Sequence, residues 1–225
     1  MRKLIPVLGL LALALILAAP ASATPIGPSC GSCFGNIYNL TYNTVPVSST
    51  ATTTTWQVTL TVNSTGYTSP TSTTGDWIDA VAVKVSSMLT SATLVSAPGG
   101  TGLWTTTLGG LNSSGCNGSG SGFDCVQIAS GGSTTVPGGT FTWVFNLEVP
   151  NSNPISLSVN GSSIKVGFVR GSGKKAGSSA GITSEDITLS GSPPPNNPVP
   201  EPSSLALLGT GLVSVAGMIR RHLGK

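Results

Sequence analysis

The segment TTTTWQVTLTV, Thr52 to Val62, alternates apolar and polar side chains along most of its length. A second segment, TFTWVFNLEV from Thr140 to Val149, repeats the pattern with larger apolar residues. Successive side chains of a β-strand point to opposite faces, so a period of two residues indicates a strand with one buried face. The residues predicted to point inward are Trp56, Val58, Leu60, Val62, Phe141, Trp143, Phe145, Leu147 and Val149.

Shorter segments with the same period occur elsewhere and are separated by turn residues such as Pro98-Gly99-Gly100 and Asn160-Gly161. About eight to ten strands at this spacing favour antiparallel sheet. The predicted fold is therefore all-β, an antiparallel β-sandwich of the immunoglobulin-like or jelly-roll-like kind. The further predicted strands are Trp77–Ser86, Ile155–Val159, Ser163–Arg170 and Ile187–Leu189, with weaker candidates at Ile37–Tyr42, Leu89–Ala97, Trp104–Leu108 and Phe123–Ala129.

The composition is poor in charge. Charged residues make up 8% of the chain, against roughly 25% in an average soluble domain. The net charge of +3 comes from the chain ends, because five basic and six acidic residues lie between Thr24 and Pro200. Binding to nucleic acid needs a cluster of basic residues, which this part of the sequence lacks. We therefore expect no nucleic-acid partner.

The N-terminus has the pattern of a secretory signal peptide. Arg2 and Lys3 precede an apolar run from Leu4 to Ala19, which Pro20 ends. Small residues then form the site that signal peptidase would cleave. We predict a signal peptide over residues 1–23, with an N-terminal membrane anchor that is never removed as the alternative. The residues of the predicted cleavage site are Ala21, Ala23 and Thr24.

The C-terminus has a spacer, an apolar span and a basic end. Residues 192–198 form a proline-rich linker, which has no means of packing as sheet or helix. Ser203 to Ile219 contains 17 residues without a charge. As a helix this segment would be about 25 Å long, at the short end of what crosses a bilayer. The Arg220-Arg221 pair after it would stay cytoplasmic and stop transfer. The β domain, residues 24–191, is thus predicted to lie outside the membrane.

The triplet Pro200-Glu201-Pro202 stands directly before the apolar span and the arginines. In this layout residues 199–225 resemble the PEP-CTERM sorting signal of Gram-negative bacteria. The resemblance implies an exosortase, a membrane-embedded cysteine transpeptidase, as partner. Cleavage near the motif would release the β domain from the inner membrane to the cell surface or the exopolysaccharide and biofilm matrix. A tail anchor that is never cleaved is the alternative. The residues placed in the sorting motif are Val199, Pro200, Glu201 and Pro202.

The chain has four cysteines, and in an exported protein an even number indicates disulfides first. Sequence alone allows three pairings. We favour Cys116 with Cys125, because the glycines between them close that loop with little strain, and Cys30 with Cys33 by elimination. A zinc site is the alternative. It is disfavoured because eight residues separate the second pair and the one histidine, His222, lies in the C-terminal tail.

The sequence offers few groups for catalysis. With His222 in the tail, the β domain has no histidine for a Ser/His/Asp or Cys/His nucleophile system. Asp76 and Asp79 would point to opposite faces of a strand, and Glu185 and Asp186 would do the same. We predict a protein without catalytic residues, metal or cofactor.

Two functions fit these features. The first is a non-enzymatic protein of the cell surface or matrix, sorted by an exosortase. The alternative is a carbohydrate-binding module or adhesin that binds exopolysaccharide. Such a module would need exposed aromatic rings, and the candidates beside turns are Trp104 and Tyr67.

Overall fold

Strands make up most of the chain in the computed structural model, which describes residues 25–70, 76–129, 135, 137–156, 161–170 and 179–192. Ser22–Ser192 forms one compact unit. In the described part of this unit the one helical element is a 3-10 turn, Thr101–Leu103. The strands are β1 (Ile37–Asn43), β2 (Ser48–Ser49), β3 (Thr53–Asn63), β4 (Asp76–Lys84), β5 (Ser91–Ser96), β6 (Trp104–Leu108), β7 (Gly110–Asn112), β8 (Gly115–Gly118), β9 (Phe123–Ile128), β10 (Thr140–Pro150), β11 (Ser163–Arg170), β12 (Ser179–Asp186) and β13 (Ser190–Ser192).

The first sheet has the strand order β13-β1-β3-β10-β5, and β2 pairs with β3 outside this path. Its centre consists of the two strands with the clearest alternation in the sequence, β3 and β10. These strands pair antiparallel along their full length, and Leu60 lies opposite Trp143. The pairing of β1 with β13 is parallel, whereas the others in this sheet are antiparallel. The position of β3 and β10 explains their alternation, because each presents one face to the core and one to solvent.

The second sheet has the order β12-β11-β4-β9-β6, and all its pairings are antiparallel. Strands β7 and β8 form a separate two-stranded hairpin. The all-β, antiparallel prediction is confirmed for the described residues. The choice between an immunoglobulin-like and a jelly-roll-like sandwich stays a prediction.

One hydrophobic core contains side chains of both sheets. Trp143 of the first sheet contacts Trp104 of the second edge-on, with ring centroids 5.5 Å apart. Tyr67, just after β3, stacks on Phe168 of the second sheet at 5.0 Å. The inward positions predicted for β3 and β10 are confirmed, although Trp56 and Phe141 are only partly buried at the margin. The largest fully buried side chains include Tyr38, Leu40, Val58, Leu60, Val62, Ile78, Trp143, Phe145, Leu147, Ile164 and Phe168.

Strand β4 differs from the sequence prediction because it is buried on both faces. Val81 and Val83 face the shared core, and Ala80 and Ala82 pack in a second cluster on the other face. Asp79 is the extra residue of a β-bulge, since Gly167 pairs with Ala80 while Phe168 pairs with Ile78. The outer face of β4 is buried because the β7–β8 hairpin covers it.

Two predicted strands differ in the structure. Ile187 and Leu189 are buried but lie between β12 and β13 rather than in a strand. Ile155 and Ser156 are not in a strand, and the rest of Ile155–Val159 lies outside the described residues. Nowhere in the described ranges is there a helix with the length and apolarity needed to cross a membrane. The predicted helix over Ser203–Ile219 is outside those ranges.

Candidate functional site

The residues predicted to direct export and sorting lie outside the part of the chain that the structure describes. Their assignment therefore depends on sequence. They are Ala21, Ala23 and Thr24 at the signal-peptide end, and Val199, Pro200, Glu201, Pro202, Arg220 and Arg221 at the sorting end.

The four cysteines form the two disulfides that the sequence favoured. Cys30 pairs with Cys33 and Cys116 pairs with Cys125, with Cα–Cα distances of 5.1 and 5.5 Å. Glu185 lies near Cys30 and Cys33, a grouping that could hold a metal ion. A disulfide removes the thiolates that would bind zinc, however, so the oxidised pair cannot serve as its ligands.

The Cys116–Cys125 disulfide ties the β7–β8 hairpin to the outer face of the second sheet. Leu111 of the hairpin is buried in a cluster with Ala80, Ala82 and Phe123. The alanines leave room for it, since larger side chains on β4 would push the hairpin away. Lys165 Nζ donates a hydrogen bond to the Leu111 carbonyl at 3.4 Å. The hairpin is therefore held by a covalent bond, by apolar contacts and by hydrogen bonds, of which the one from Lys165 is the first.

Gln127 connects this hairpin to a buried carboxylate. Its Oε1 atom accepts a hydrogen bond from the backbone N–H of Cys116 at 3.3 Å. Its Nε2 atom donates to Asp79 Oδ2 at 3.2 Å. Burial raises the pKa of Asp79 to about 6, and the Gln127 hydrogen bond opposes part of that rise. At Gly115, φ is +101°, and a side chain there would collide with the Gln127 amide.

A cavity of about 320 Å³ opens beside the hairpin on the outer face of the second sheet. Thr105 of β6 lies directly opposite Gln127 of β9 in the sheet, and Thr107 lies opposite Cys125. Together with hairpin residues they form a wall of hydroxyl and amide groups, and none of the described residues that line it is charged. We call this space the hairpin cavity. Its polar lining consists of Thr105, Thr107, Ser114, Asn117 and Gln127, beside Cys116.

The aromatic residues proposed for sugar contact are placed differently from the prediction. Trp104 is only 7% exposed, and its Nε1 donates to the Pro98 carbonyl at 3.0 Å. Trp104 points inward because β6 closes one edge of the second sheet against the first. Tyr67 is half-buried against Phe168, and its hydroxyl donates to Asp76 Oδ2 at 2.8 Å. Neither ring forms the exposed platform that the prediction required, so that part of it is wrong.

The acidic residues considered for catalysis have separate surroundings. Asp76 accepts hydrogen bonds from Tyr67 and Ser69, in the connection that follows β3. Asp79 bonds to Gln127 on the outer face of the second sheet. Glu185 accepts a hydrogen bond from Ser32 at 2.7 Å, next to the Cys30–Cys33 disulfide. These carboxylates therefore have no hydrogen-bond partner in common.

Removing the Cys116–Cys125 disulfide by Cys116→Ala and Cys125→Ala is expected to lower the free energy of unfolding by about 3 kcal/mol. The reason is that a bond across a sequence separation of 9 restricts the unfolded chain. Chemical denaturation in the absence of reductant measures the loss. The same pair of changes at Cys30 and Cys33, separated by 3 residues, is the control and should lose about 2 kcal/mol. A loss below about 1 kcal/mol at the hairpin would contradict the expectation.

Residues 198–221 match the family described as the PEP-CTERM protein-sorting motif. The resemblance found in the sequence is therefore confirmed, and the chain carries this motif at its C-terminal end. The motif implies an exported protein that an exosortase processes at the membrane.

No curated protein matches the chain. Two similar solved structures are a GH20 exo-β-N-acetylglucosaminidase from Vibrio harveyi as an inactive mutant and the same enzyme in complex with N-acetylglucosamine. Their sequence identities to this chain are 13% and 12%, and their TM-scores are 0.32 and 0.30. The matches cover 72% and 73% of this chain but 19% and 20% of the enzymes. Similarity at this level says nothing about activity.

Proposed function

We propose that the protein is a non-enzymatic component of the cell surface or extracellular matrix of a Gram-negative bacterium, delivered there by an exosortase. The observation that carries this proposal is the PEP-CTERM match over residues 198–221. In this scheme signal peptidase cleaves after Ala23, and the span after Pro202 holds the β domain at the inner membrane until the exosortase acts. Arg220 and Arg221 keep the end of the chain on the cytoplasmic side.

The solvent-facing side of the first sheet supports a role in a hydrated polymer matrix. Asn43 Nδ2 donates to Gln57 Oε1 at 2.8 Å, in an amide row that runs from β1 to β3. Thr59 and Thr61 of β3 lie on the same face, opposite Thr41 of β1 and Thr142 of β10. Hydroxyl and amide groups both donate and accept hydrogen bonds, so this face can be hydrated without ion pairs.

The absence of catalysis is supported by the scarcity of converging titratable groups. The β domain has no histidine, and its candidate acids Asp76, Asp79 and Glu185 have different hydrogen-bond partners. Glycoside hydrolysis by carboxyl groups requires two of them flanking one substrate bond. A protein that acts through its surface fits this arrangement better than a hydrolase does.

Deleting the exosortase is expected to leave the full C-terminal segment on the protein, because the span after Pro202 can then leave the membrane only by slow extraction. Intact mass of the protein from membrane and extracellular fractions measures the outcome. In the parent strain the extracellular protein should lack the basic tail, whereas in the deletion strain the tail should remain in the membrane fraction.

Substitutions in the motif provide the matched test. Glu201→Ala should reproduce the deletion in a strain that has the exosortase, because it changes the proposed recognition triplet. Glu148→Ala, an equal change on the exposed face of β10, should leave processing intact. Extracellular protein with a shortened C-terminus in the deletion strain would overturn the proposed delivery.

A second candidate function is carbohydrate binding or adhesion. The exposed aromatic platform that the sequence suggested for it is not formed, but the uncharged hairpin cavity favours it independently.

A further inference from the structure

On the outer face of the second sheet, one row of residues across the strands contains two small residues, Ala80 and Gly167. Gln127 lies opposite Thr105 on one side and Ala80 on the other, and Ala80 lies opposite Gly167. The hairpin covers the part of this row that contains Ala80 and Gly167, where Leu111 packs against Ala80 and Ala82. It stops short of β6, so that Thr105 and Thr107 remain exposed beside it. The uncovered end of the row is the hairpin cavity.

The lining of the hairpin cavity defines what kind of ligand it can take. Its polar groups are hydroxyls and side-chain amides, which act as donors and acceptors at the same time. No charged side chain among the described residues lines it, so a phosphate, a sulfate or a cation would lack a counter-charge there. Its volume of about 320 Å³ is at the lower end of the range for small-molecule sites. A small, neutral ligand that carries many hydroxyl groups matches both properties.

The Gln127 amide is fixed before any ligand arrives. Asp79 is 7% exposed and can accept a hydrogen bond but not donate one when ionised, which orients Nε2 toward it. The Cys116 N–H fixes Oε1 from the other side, and the Cys116–Cys125 disulfide holds the strand that carries this N–H. One Nε2 hydrogen is left for a ligand. Polar groups held in this way lose little entropy on binding.

We propose that the hairpin cavity binds one residue of a neutral saccharide, with hydrogen bonds to Thr105, Asn117 and Gln127. This inference deepens the carbohydrate-binding function considered above, and it is independent of how the protein is exported. The sugar would bring alternating donor and acceptor hydroxyls to a wall that has both. The described lining has no aromatic ring, so a single site would bind weakly, and a polymer would be retained by many copies of the protein on one chain.

The test measures binding of the full chain, purified in detergent, to glucose, galactose and mannose and to a neutral exopolysaccharide made from these sugars. Thr105→Val with Asn117→Ala removes two ligand-binding groups and is expected to weaken binding at least tenfold. Thr59→Val with Asn146→Ala makes the same changes on the outer face of the first sheet and is expected to leave binding within twofold. Thermal unfolding confirms that both variants are folded.

Three outcomes would overturn the proposal. The first is no measurable binding of any of the neutral probes. The second is binding that the first-sheet control weakens and the cavity variant does not, which would place the site on the other sheet. The third is tighter binding to an acidic polysaccharide than to the neutral one. Because the chain is purified rather than exported, these outcomes are distinct from a failure of the exosortase hypothesis.

Discussion

Raising the pH from 5 to 8 is expected to lower the free energy of unfolding of the β domain by about 4 kcal/mol, because two buried carboxyl groups lose protons in that interval. The larger share comes from Asp124. Its side chain is fully buried, and no side chain among the described residues donates a hydrogen bond to either oxygen. Burial raises the pKa of Asp124 to about 7, and the nearby backbone N–H of Cys125 lowers it by a smaller amount.

The location of Asp124 explains why no side chain among the described residues donates a hydrogen bond to it. It lies in β9, opposite Val83 of β4 and Leu108 of β6. Val126 and Ile128, two and four residues further along β9, belong to the shared core, so Asp124 faces the same side. A carboxylate on this face has only apolar neighbours in its row. The neutral acid is the form that such a site tolerates.

The direction of the pH effect follows from the pKa of Asp124 in the unfolded and in the folded chain. In the unfolded chain an aspartate loses its proton near 3.8, whereas folded Asp124 keeps it until about pH 7. The stabilisation is therefore complete below pH 4 and is lost as the pH rises to 7. Between pH 5 and 8 this amounts to about 3 kcal/mol for Asp124. Asp79, with a pKa of about 6, adds about 1 kcal/mol in the same direction.

Asp124→Asn tests this directly, because asparagine has the same shape and does not titrate. Urea unfolding at pH 5 and pH 8 should show a loss of about 1 kcal/mol in the variant, against about 4 kcal/mol in the parent. Glu148→Gln is the control. Hydrogen bonds from Thr53 and Ser91 lower the pKa of Glu148 from its ordinary value, so this carboxylate should not add to the loss. Parallel pH profiles for the parent and Asp124→Asn would rule out Asp124 as the source.

The sequence predicted the parts of the fold in which local pattern and tertiary environment agree. Strands β3 and β10 alternate because each has one buried and one hydrated face, and the structure pairs them at the centre of the first sheet. The two-residue alternation of apolar and polar side chains is absent from β4. The hairpin covers the outer face of this strand, so the residues on that face, Ala80 and Ala82, are apolar too. No local pattern in the sequence identifies which face a distant hairpin will cover.

The residues of the hairpin cavity were missed for the same reason. The hairpin segments Gly110–Asn112 and Gly115–Gly118 are too short and too rich in glycine to show a period. The sequence nevertheless contained one signal for the cavity residues and one for the buried Asp124. The favoured Cys116–Cys125 pairing already brought the hairpin to β9, where Gln127 is two residues beyond Cys125. Asp124 has the same parity as Val126 and Ile128, so the sequence placed it on the apolar face of its strand.

Replacing Trp143 by alanine is expected to lower the free energy of unfolding by about 3 to 5 kcal/mol, as for other large-to-small changes in a core. Trp143 is fully buried, lies opposite Leu60 and contacts Trp104 edge-on at 5.5 Å. Truncation would remove the ring that joins the two sheets at this point. Because the neighbouring strands are held in their sheets, the cavity would close only in part.

Phenylalanine at the same position separates the packing of the ring from its N–H group. The Trp143 Nε1 atom is buried and has no hydrogen-bond partner among the described residues, so Trp143→Phe removes an unsatisfied donor while it keeps an aromatic ring. We expect a loss below about 2 kcal/mol by chemical denaturation. Trp104→Phe is the matched control, and it should lose about 1 kcal/mol more because it breaks the hydrogen bond to the Pro98 carbonyl. If Trp143→Phe were as destabilising as Trp143→Ala, the expectation that an aromatic ring alone preserves most of the stability at this position would be wrong.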